Sequence, residues 1–390
     1  MSKLGERLAT LLGLSAPVPT RKYTRDAAIV VLPPPAQVRL ALTGLEAVVA
    51  AGDEVAAHAL VARSVPGARW QRRIHTPLGG RVESIAGAVV VRGAPTSAAA
   101  AAVHRDPATL DRDAIVTAAR DAGIVGLGGG MFPTYAKLTA THPIDTVLVN
   151  GCESEPYFTC DHRVLAEHRD EVECGMALAV RAVGATSSAV IDREDYYPAG
   201  YERFVVRDRL GREVPPRHLP RDVGALVLNV QSARALHRAV CLGEPLVSRV
   251  ITVAGGAIAR PGNYQVLIGT AVDEVLAACG ADATSAAMII AGGPMMGHQI
   301  SAGDTIAAGT GGLLAMTAAE VAARVEQPCI RCGRCVDACP VGLPVPLLIE
   351  RPGPDVLTCF GCGACQYVCP SAIPLAALMR AASAREIRWD

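Results

Sequence analysis

Aromatic residues are scarce in this 390-residue chain, only 4% of the total, so its cores must be built from Ala, Val, Leu and Ile. Net charge is missing as well, because 37 Lys and Arg balance 37 Asp and Glu. Without an excess of one sign, the chain has no general field to gather nucleic acid or an anionic membrane. Charge is never concentrated in blocks and 51% of residues are hydrophobic, which excludes a disordered chain. Nor is there an uninterrupted apolar run. The uncharged stretch 284–303 holds four Gly and Pro294, and it reads as turns and short strands, not a membrane span. The opening MSKLGERLATLLGLSAP has a short apolar stretch broken by Gly and Pro, with no small-residue cleavage pattern. A soluble, cytoplasmic protein is expected.

Glycine, proline and cysteine are plentiful by contrast. The 38 Gly and 27 Pro imply many tight turns, and the length suits two to four domains at roughly 100–200 residues each. Of 13 Cys, eight fall between Cys329 and Cys369; Cys152, Cys160, Cys174, Cys241 and Cys279 are scattered. A secreted disulfide scaffold would be shorter and more evenly studded.

The clustered cysteines form a duplicated string. Cys329, Cys332, Cys335 and Cys339, followed by Pro340, read C-x2-C-x2-C-x3-C-P, and Cys359, Cys362, Cys365 and Cys369, followed by Pro370, repeat it 30 residues on. Gly333 and Gly363 repeat with it, as do Pro344 and Pro374. This is the spacing of bacterial two-cluster ferredoxins, in which the fourth Cys of each string serves the other cluster. One cluster is therefore expected on Cys329, Cys332, Cys335 and Cys369, and the second on Cys359, Cys362, Cys365 and Cys339. Thiolates also bind zinc, but zinc sites rarely run four cysteines in one string and then repeat it. Two 4Fe–4S clusters relay single electrons; what donates or accepts them must come from the rest of the chain.

Two loops offer candidates. Residues 111–124 have helical spacing, with Ile115, Ala118, Ala119 and Ala122 on one face. The glycine-rich Gly126-Leu127-Gly128-Gly129-Gly130-Met131 follows. An ordinary dinucleotide fingerprint is disfavoured, because Met131 sits where the last Gly belongs and a helix precedes in place of a strand. A glycine loop leading through Pro133 into a helix still offers exposed N–H groups to an anionic or ring ligand. Thr146 to Asn150 then reads as a buried strand that empties into Gly151-Cys152-Glu153-Ser154-Glu155, acidic residues at a strand end where α/β sheets place ligand groups.

Together GLGGGMFPTYAKL and NGCESEPYFTCDHRVL resemble RnfC, the flavin- and NADH-binding component of Rnf electron-transport complexes. They also resemble the related cobalamin reductase of propanediol metabolism and the flavoprotein subunit of respiratory complex I. Later segments agree, among them Tyr197-Pro198-Ala199-Gly200-Tyr201-Glu202, Leu228-Asn229-Val230-Gln231-Ser232-Ala233 and Gly292-Gly293-Pro294-Met295-Met296-Gly297. By this resemblance Gly128, Gly129 and Gly130 pass close to FMN, and Asn150, Glu153 and Ser154 contact it. Asn229 stands at the flavin phosphate, while Lys137, Glu155 and Glu202 belong to the nucleotide site. Three positions depart from relatives: Met131 and Tyr201 where glycine is usual, and Cys152 where the complex I flavoprotein has Asp. A side chain at 131 would crowd the flavin, or strain the backbone if φ is positive.

The implied fold is multidomain α/β and α+β. A barrel-sandwich hybrid domain is expected over 1–110, a Rossmann-like FMN/NADH domain over 111–245, an SLBB β-grasp domain over 246–318 and a dicluster ferredoxin domain over 319–390. In lipoyl carriers, which the first module resembles, a modified Lys sits at a hairpin tip; the corresponding Leu78-Gly79-Gly80 has none, so no attachment is expected. His75 is expected to be a satisfied turn histidine, Cys152 and Cys160 to pack as small hydrophobes, and 96–103 to begin a helix. The resemblance implies an NADH dehydrogenase-type oxidoreductase that passes electrons through noncovalent FMN and two clusters to an acceptor protein or membrane-complex subunits. It would then dock peripherally on the cytoplasmic face of the inner membrane. Two alternatives stay open: a cobalamin reductase, and a relay subunit whose flavin site Met131 and Tyr201 have closed. No nucleic-acid partner is expected.

Overall fold

The computed structural model describes residues 21–95, 105–139, 141–193, 197–281, 286–321 and 325–386. The expected helix over 96–103 lies outside the described residues.

A β-sandwich comes first. Its four-stranded sheet runs in the order Gln37–Ala41, Ala88–Ala94, Gly79–Ser84, Glu54–Val55, and a three-stranded sheet of Leu45–Ala47, Leu60–Ser64 and Arg73–His75 covers it. Alternation along the strands turns Val38, Leu40, Val82, Val89 and Val91 into the core and leaves polar neighbours outside. Three expectations change here. The strand Ile29–Val31, placed with this module on sequence, pairs in parallel with residues 263–265 of a later domain. Leu78-Gly79-Gly80 is no hairpin tip: Leu78 is fully buried and Gly79 opens a strand paired with Ala94. His75 is not satisfied either. Its Nδ1 is buried without a hydrogen-bond partner, and burial pushes the imidazole down to about 4.

Three parallel strands form the second domain: β1 (Thr146–Asn150) is central, flanked by β2 (Ser187–Ile191) and β3 (Ala225–Asn229). TVLVN and ALVLN are continuous apolar runs, as befits strands covered on both faces. Helices α1 (Arg112–Asp121), α4 (Arg169–Val183) and α6 (Val230–Leu242) bury Ile115, Leu178 and Leu236 in one shared core. Val205 and Val206 of α5 (Glu202–Leu210) cover Leu148 and Val227 in another. Between them in sequence lie the short α2 (Thr134–Leu138) and α3 (Cys160–Glu167). Asp111 caps α1 by accepting from the Ala114 N–H at 2.8 Å, so the helix begins where its 3.6-residue period does.

The third domain completes a six-stranded mixed sheet from strands 248–254, 262–267, 312–316, 288–291 and 298–300, with Ile29–Val31 at its edge. Helix α7 (Val272–Ala278) packs Val272, Val275 and Leu276 against it.

The last domain carries its duplication into the backbone. Helix α8 (Arg334–Asp337) recurs as α9 (Ala364–Tyr367), each preceded by a left-handed glycine, Gly333 at φ +78 and Gly363 at φ +79. Two further left-handed positions repeat with mismatched residues: Arg331 (φ +55) matches Gly361 (φ +75), and Ala372 (φ +53) matches Gly342 (φ +68). Leu343, Leu348, Val356, Leu375 and Met379 make a small core beneath the cysteines.

Candidate functional site

Register brings the first two site residues together. Asn150 and Asn229 end β1 and β3 as direct neighbours, at the C-terminal edge where parallel sheets open their ligand crevice. Asn150 donates to Gly200 O at 2.8 Å and accepts from the Cys152 N–H at 3.0 Å. Asn229 caps α6, its Oδ1 accepting from the Gln231 N–H at 2.9 Å while its amide donates to Asp161.

Above this edge lies the glycine loop. Its base is closed by Gly126 N–H to Phe132 O at 2.8 Å and Met131 N–H to Gly126 O at 3.1 Å. Ser232 Oγ accepts from the Leu127 N–H at 2.8 Å, and Arg249 donates to Leu127 O at 3.2 Å, so the loop is held from two sides. A Cβ on Gly129 or Gly130 would have nothing within 4 Å, and one on Gly128 would touch only Asn229. The loop therefore presents bare backbone to a cavity of about 1460 Å³. That is larger than a typical single-ligand pocket of about 300–1,000 Å³. Met131 does adopt the strained left-handed conformation, at φ +46, and its thioether packs over Gly309. Tyr201 stacks on Phe360 at 4.4 Å between ring centroids. Both side chains line the cavity without closing it.

The acidic loop is pinned from behind by Lys22, whose ammonium donates to the carbonyls of Glu153 (2.5 Å), Glu155 (2.8 Å) and Phe158 (2.5 Å). Glu153 is turned inward. Its carboxylate accepts from the Asp161 and His162 N–H groups at 3.2 Å each, at the start of α3, and stands 3.3 Å from Cys160 Sγ. Burial, followed by the neighbouring Asp161, lifts Glu153 to about 7. Burial raises Asp161 too, against the pull of Gln231 and of Arg249. Arg249 is itself buried and lowered by desolvation. The Cys160 thiol is pushed well up by burial, so it packs as an inert neutral group. Ser154 Oγ accepts from the Gly200 N–H at 3.1 Å. Glu155 Oε1 accepts from the Met295 and Met296 N–H groups at 2.7 and 3.2 Å, tying the flavin domain to the Gly292–Gly297 loop. Lys137 pairs with Glu202 at 2.7 Å and donates to Val227 O at 2.9 Å.

The ferredoxin domain docks on the same cavity. Cys359, Phe360 and Cys362 contribute to its wall. Tyr197 donates to Cys362 O at 2.5 Å, and Phe204 meets Phe360 edge-on at 5.5 Å. Cys329 and Cys332, which do not line the cavity, are exposed, with Ile330 68% exposed between them. The eight sulfurs are not gathered as tightly as a single zinc would hold them. Among the described residues no three of them lie mutually within 4.8 Å, whereas four thiolates at about 2.3 Å from one zinc stand only about 3.8 Å apart. Gly361 and Arg331 in left-handed conformation turn backbone toward the sulfurs, and the Arg331 N–H donates to Cys329 Sγ at 3.4 Å.

All ten residues anticipated around flavin and nucleotide thus border one cavity. Four others that hold it were not anticipated. Lys22, Asp161, Gln231 and Arg249 act across long sequence separations; Asp161 and Gln231 lay inside motifs that the sequence brought forward, but no role was given to either.

Eight cysteines in a duplicated C-x2-C-x2-C-x3-C-P string, beside a bare glycine wall at a sheet's C-terminal edge, mark an iron–sulfur electron-transfer protein. Family models agree: residues 119–196 match the Nuo51 FMN-binding domain, 250–299 the SLBB domain and 328–373 a 4Fe-4S dicluster domain. The chain is 35% identical over 372 residues to the C component of the ion-translocating oxidoreductase complex of Rhodobacter capsulatus, covering 83% of this chain and 71% of that protein. It is 34% identical over 378 residues to the corresponding component of the proton-translocating ferredoxin:NAD(+) oxidoreductase complex of Clostridium ljungdahlii, covering 84% and 81%. Among solved structures, an NAD+-reducing [NiFe]-hydrogenase in the H2-reduced state aligns over 56% of this chain and 49% of that one, with 22% identity and a TM-score of 0.45. The chain belongs to the RnfC family, the C components of ion-translocating oxidoreductase complexes. Among the described residues, no helix is long and apolar enough to cross a membrane.

Proposed function

We propose that this chain exchanges electrons between NAD(H) and a protein partner, using noncovalent FMN in the cavity and two 4Fe–4S clusters in the tail. The observation that carries this reading is the shared wall: Cys359, Phe360 and Cys362 face the same space as Gly128 to Gly130. Bound FMN supplies two-electron exchange with a nicotinamide and one-electron exchange with clusters. In this reading Gly128, Gly129 and Gly130 let the backbone approach the flavin ring, with Asn150, Glu153 and Ser154 beside it and Asn229 toward its phosphate. Lys137, Glu202 and Glu155 serve the nucleotide. The Lys137–Glu202 pair offers a cation for phosphate and a carboxylate for sugar hydroxyls, while the Glu155 oxygen held by two N–H groups fixes the far rim.

The cluster on Cys359, Cys362, Cys365 and Cys339 stands next to the cavity. The cluster on Cys329, Cys332, Cys335 and Cys369 meets the outside through exposed Cys329, Ile330 and Cys332, an apolar contact point for a partner. Membership of the RnfC family favours membrane-complex subunits as that partner and peripheral attachment at the cytoplasmic face, and it favours this reading over cobalamin reduction.

The test is the visible spectrum of anaerobically purified protein before and after NADH. A flavin band over a broad iron–sulfur shoulder, both bleached by NADH, supports the proposal. A shoulder alone, indifferent to NADH and bleached by dithionite, would reduce the chain to a relay and remove the role assigned to the glycine loop.

A further inference from the structure

Away from the cavity, α4 and α6 hold a second concentration of metal-binding atoms. Cys174 on α4 and His237 and Cys241 on α6 converge so that their two sulfurs and one imidazole nitrogen lie mutually within 4.8 Å. The helices approach closely here. A Cβ on Gly175 would fall 1.8 Å from Ala233 O, so the two backbones touch one residue from Cys174 and one turn from His237. His237 and Cys241 share a face of α6 by their i, i+4 spacing. Among the described residues His237 Nδ1 is buried and has no hydrogen-bond partner, beside the apolar contact of Leu178, Ala179, Leu236 and Val240 and within reach of the charges of Glu171, Arg234, Arg238 and Glu244.

We propose that these three residues form a mononuclear zinc site, separate from the iron–sulfur cysteines. Two thiolates and an imidazole are a soft donor set that favours zinc over magnesium or calcium. Three protein ligands leave a fourth position for water, and half-exposed Cys174 and His237 keep it open to solvent. In the metal-free protein the two thiols are joined by a hydrogen bond. Binding forms two Zn–S bonds and one Zn–N bond and releases two protons to water. The product is electrically neutral. That suits a place where Arg234 and Arg238 are already matched by Glu171 and Glu244. By contrast, the Glu153, Cys160 and Asp161 group belongs to the cavity, and N–H and amide groups already occupy its oxygens.

The site is tested on anaerobically purified protein with its iron complement full, so that no cluster cysteine is free. After equilibration with buffered zinc and removal of excess, metal analysis should find one zinc per chain at unchanged iron. Cys174→Ser and Cys241→Ser should each weaken zinc retention at least tenfold, again at unchanged iron. Labelling the unmutated protein gives an independent reading that needs no variant to fold: zinc should protect Cys174 and Cys241 from N-ethylmaleimide, read by peptide mass, and leave Cys279 unchanged. The proposal is overturned if iron-replete protein retains no zinc, if either variant retains as much as the unmutated chain, or if zinc fails to slow labelling of Cys174.

Discussion

Replacing Glu153 with Gln probes the buried acid pair behind the acidic loop. Glu153 is 5% exposed, and burial together with Asp161 lifts it from 4.5 to about 7. An unfolded chain gives up this proton near 4.5, whereas the folded protein keeps it until about 7. The stability that the group contributes is therefore complete below pH 4.5 and lost as pH rises through 7, the reverse of a salt-bridged carboxylate. A gap of about 2.5 pH units, at about 1.4 kcal/mol each, makes that contribution about 3.5 kcal/mol at most, reached below pH 4.5. The Gln variant keeps an oxygen for one of the Asp161 and His162 N–H groups, which bond to different Glu153 oxygens, and gives up the other at every pH, but it has no proton to lose. Urea unfolding of anaerobic protein at pH 5.5 and 8.5 measures the difference. The unmutated chain should lose more stability across that interval than Glu153→Gln, by up to about 2 kcal/mol, since part of the contribution is already gone at pH 5.5. Parallel losses in the two proteins would refute the assignment of a neutral, buried Glu153 below pH 7.

Other substitutions separate the remaining roles. Gly130→Val should abolish flavin retention while iron stays complete, as measured by absorption and metal analysis, because the added side chain enters the cavity and not a packed neighbour. Phe360→Ala removes the ring between Tyr201 and Phe204, a loss of about 1 kcal/mol per aromatic contact. NADH should then bleach the clusters more slowly than the flavin in stopped flow. Lys137→Met breaks a half-exposed pair and should change stability by less than about 1 kcal/mol, yet raise the KM for NADH at unchanged flavin content. Arg331→Gly and Ala372→Gly should each stabilise the tail by about 0.5–1 kcal/mol, seen as slower cluster loss on warming, whereas Gly361→Ala should do the opposite.

What could be read in advance follows sequence distance. The expected cluster ligands stand three or four positions apart and repeat after 30, so spacing alone brought them forward, and the duplicated backbone conformations at 333 and 363 follow the same offset. The strand Thr146–Asn150 was legible as a short apolar run ending in Asn, and α1 by its face. Lys22 and Arg249 carried no such signal, since one basic residue among 37 announces nothing until the fold brings it to a carbonyl 130 or 120 positions away. The same limit hid the use of Glu155 and Lys137. Both were picked out as ligand residues, and both already have protein partners, Glu155 in the Met295–Met296 turn and Lys137 in Glu202. Ile29–Val31 fell inside the expected 1–110 module because a three-residue apolar strand fits any edge, and only its parallel pairing with 263–265 decides which sheet it joins.

That edge strand has a consequence for how the chain is made. Ile29, Val30 and Val31 emerge from the ribosome more than 230 residues ahead of Asn263, Tyr264 and Gln265, the segment they pair with. At about 5–20 residues per second, this sticky triplet waits roughly 10–50 s for its partner. Lys22, a few positions earlier, waits in the same way for the loop at 153–158 that it will hold. Three consecutive prolines, Pro33 to Pro35, follow the triplet after Leu32. They deny a passing strand further backbone donors and keep the early segment from recruiting a neighbour on another nascent chain. The run of prolines thus acts during synthesis, as a guard on an edge whose rightful occupant is made much later.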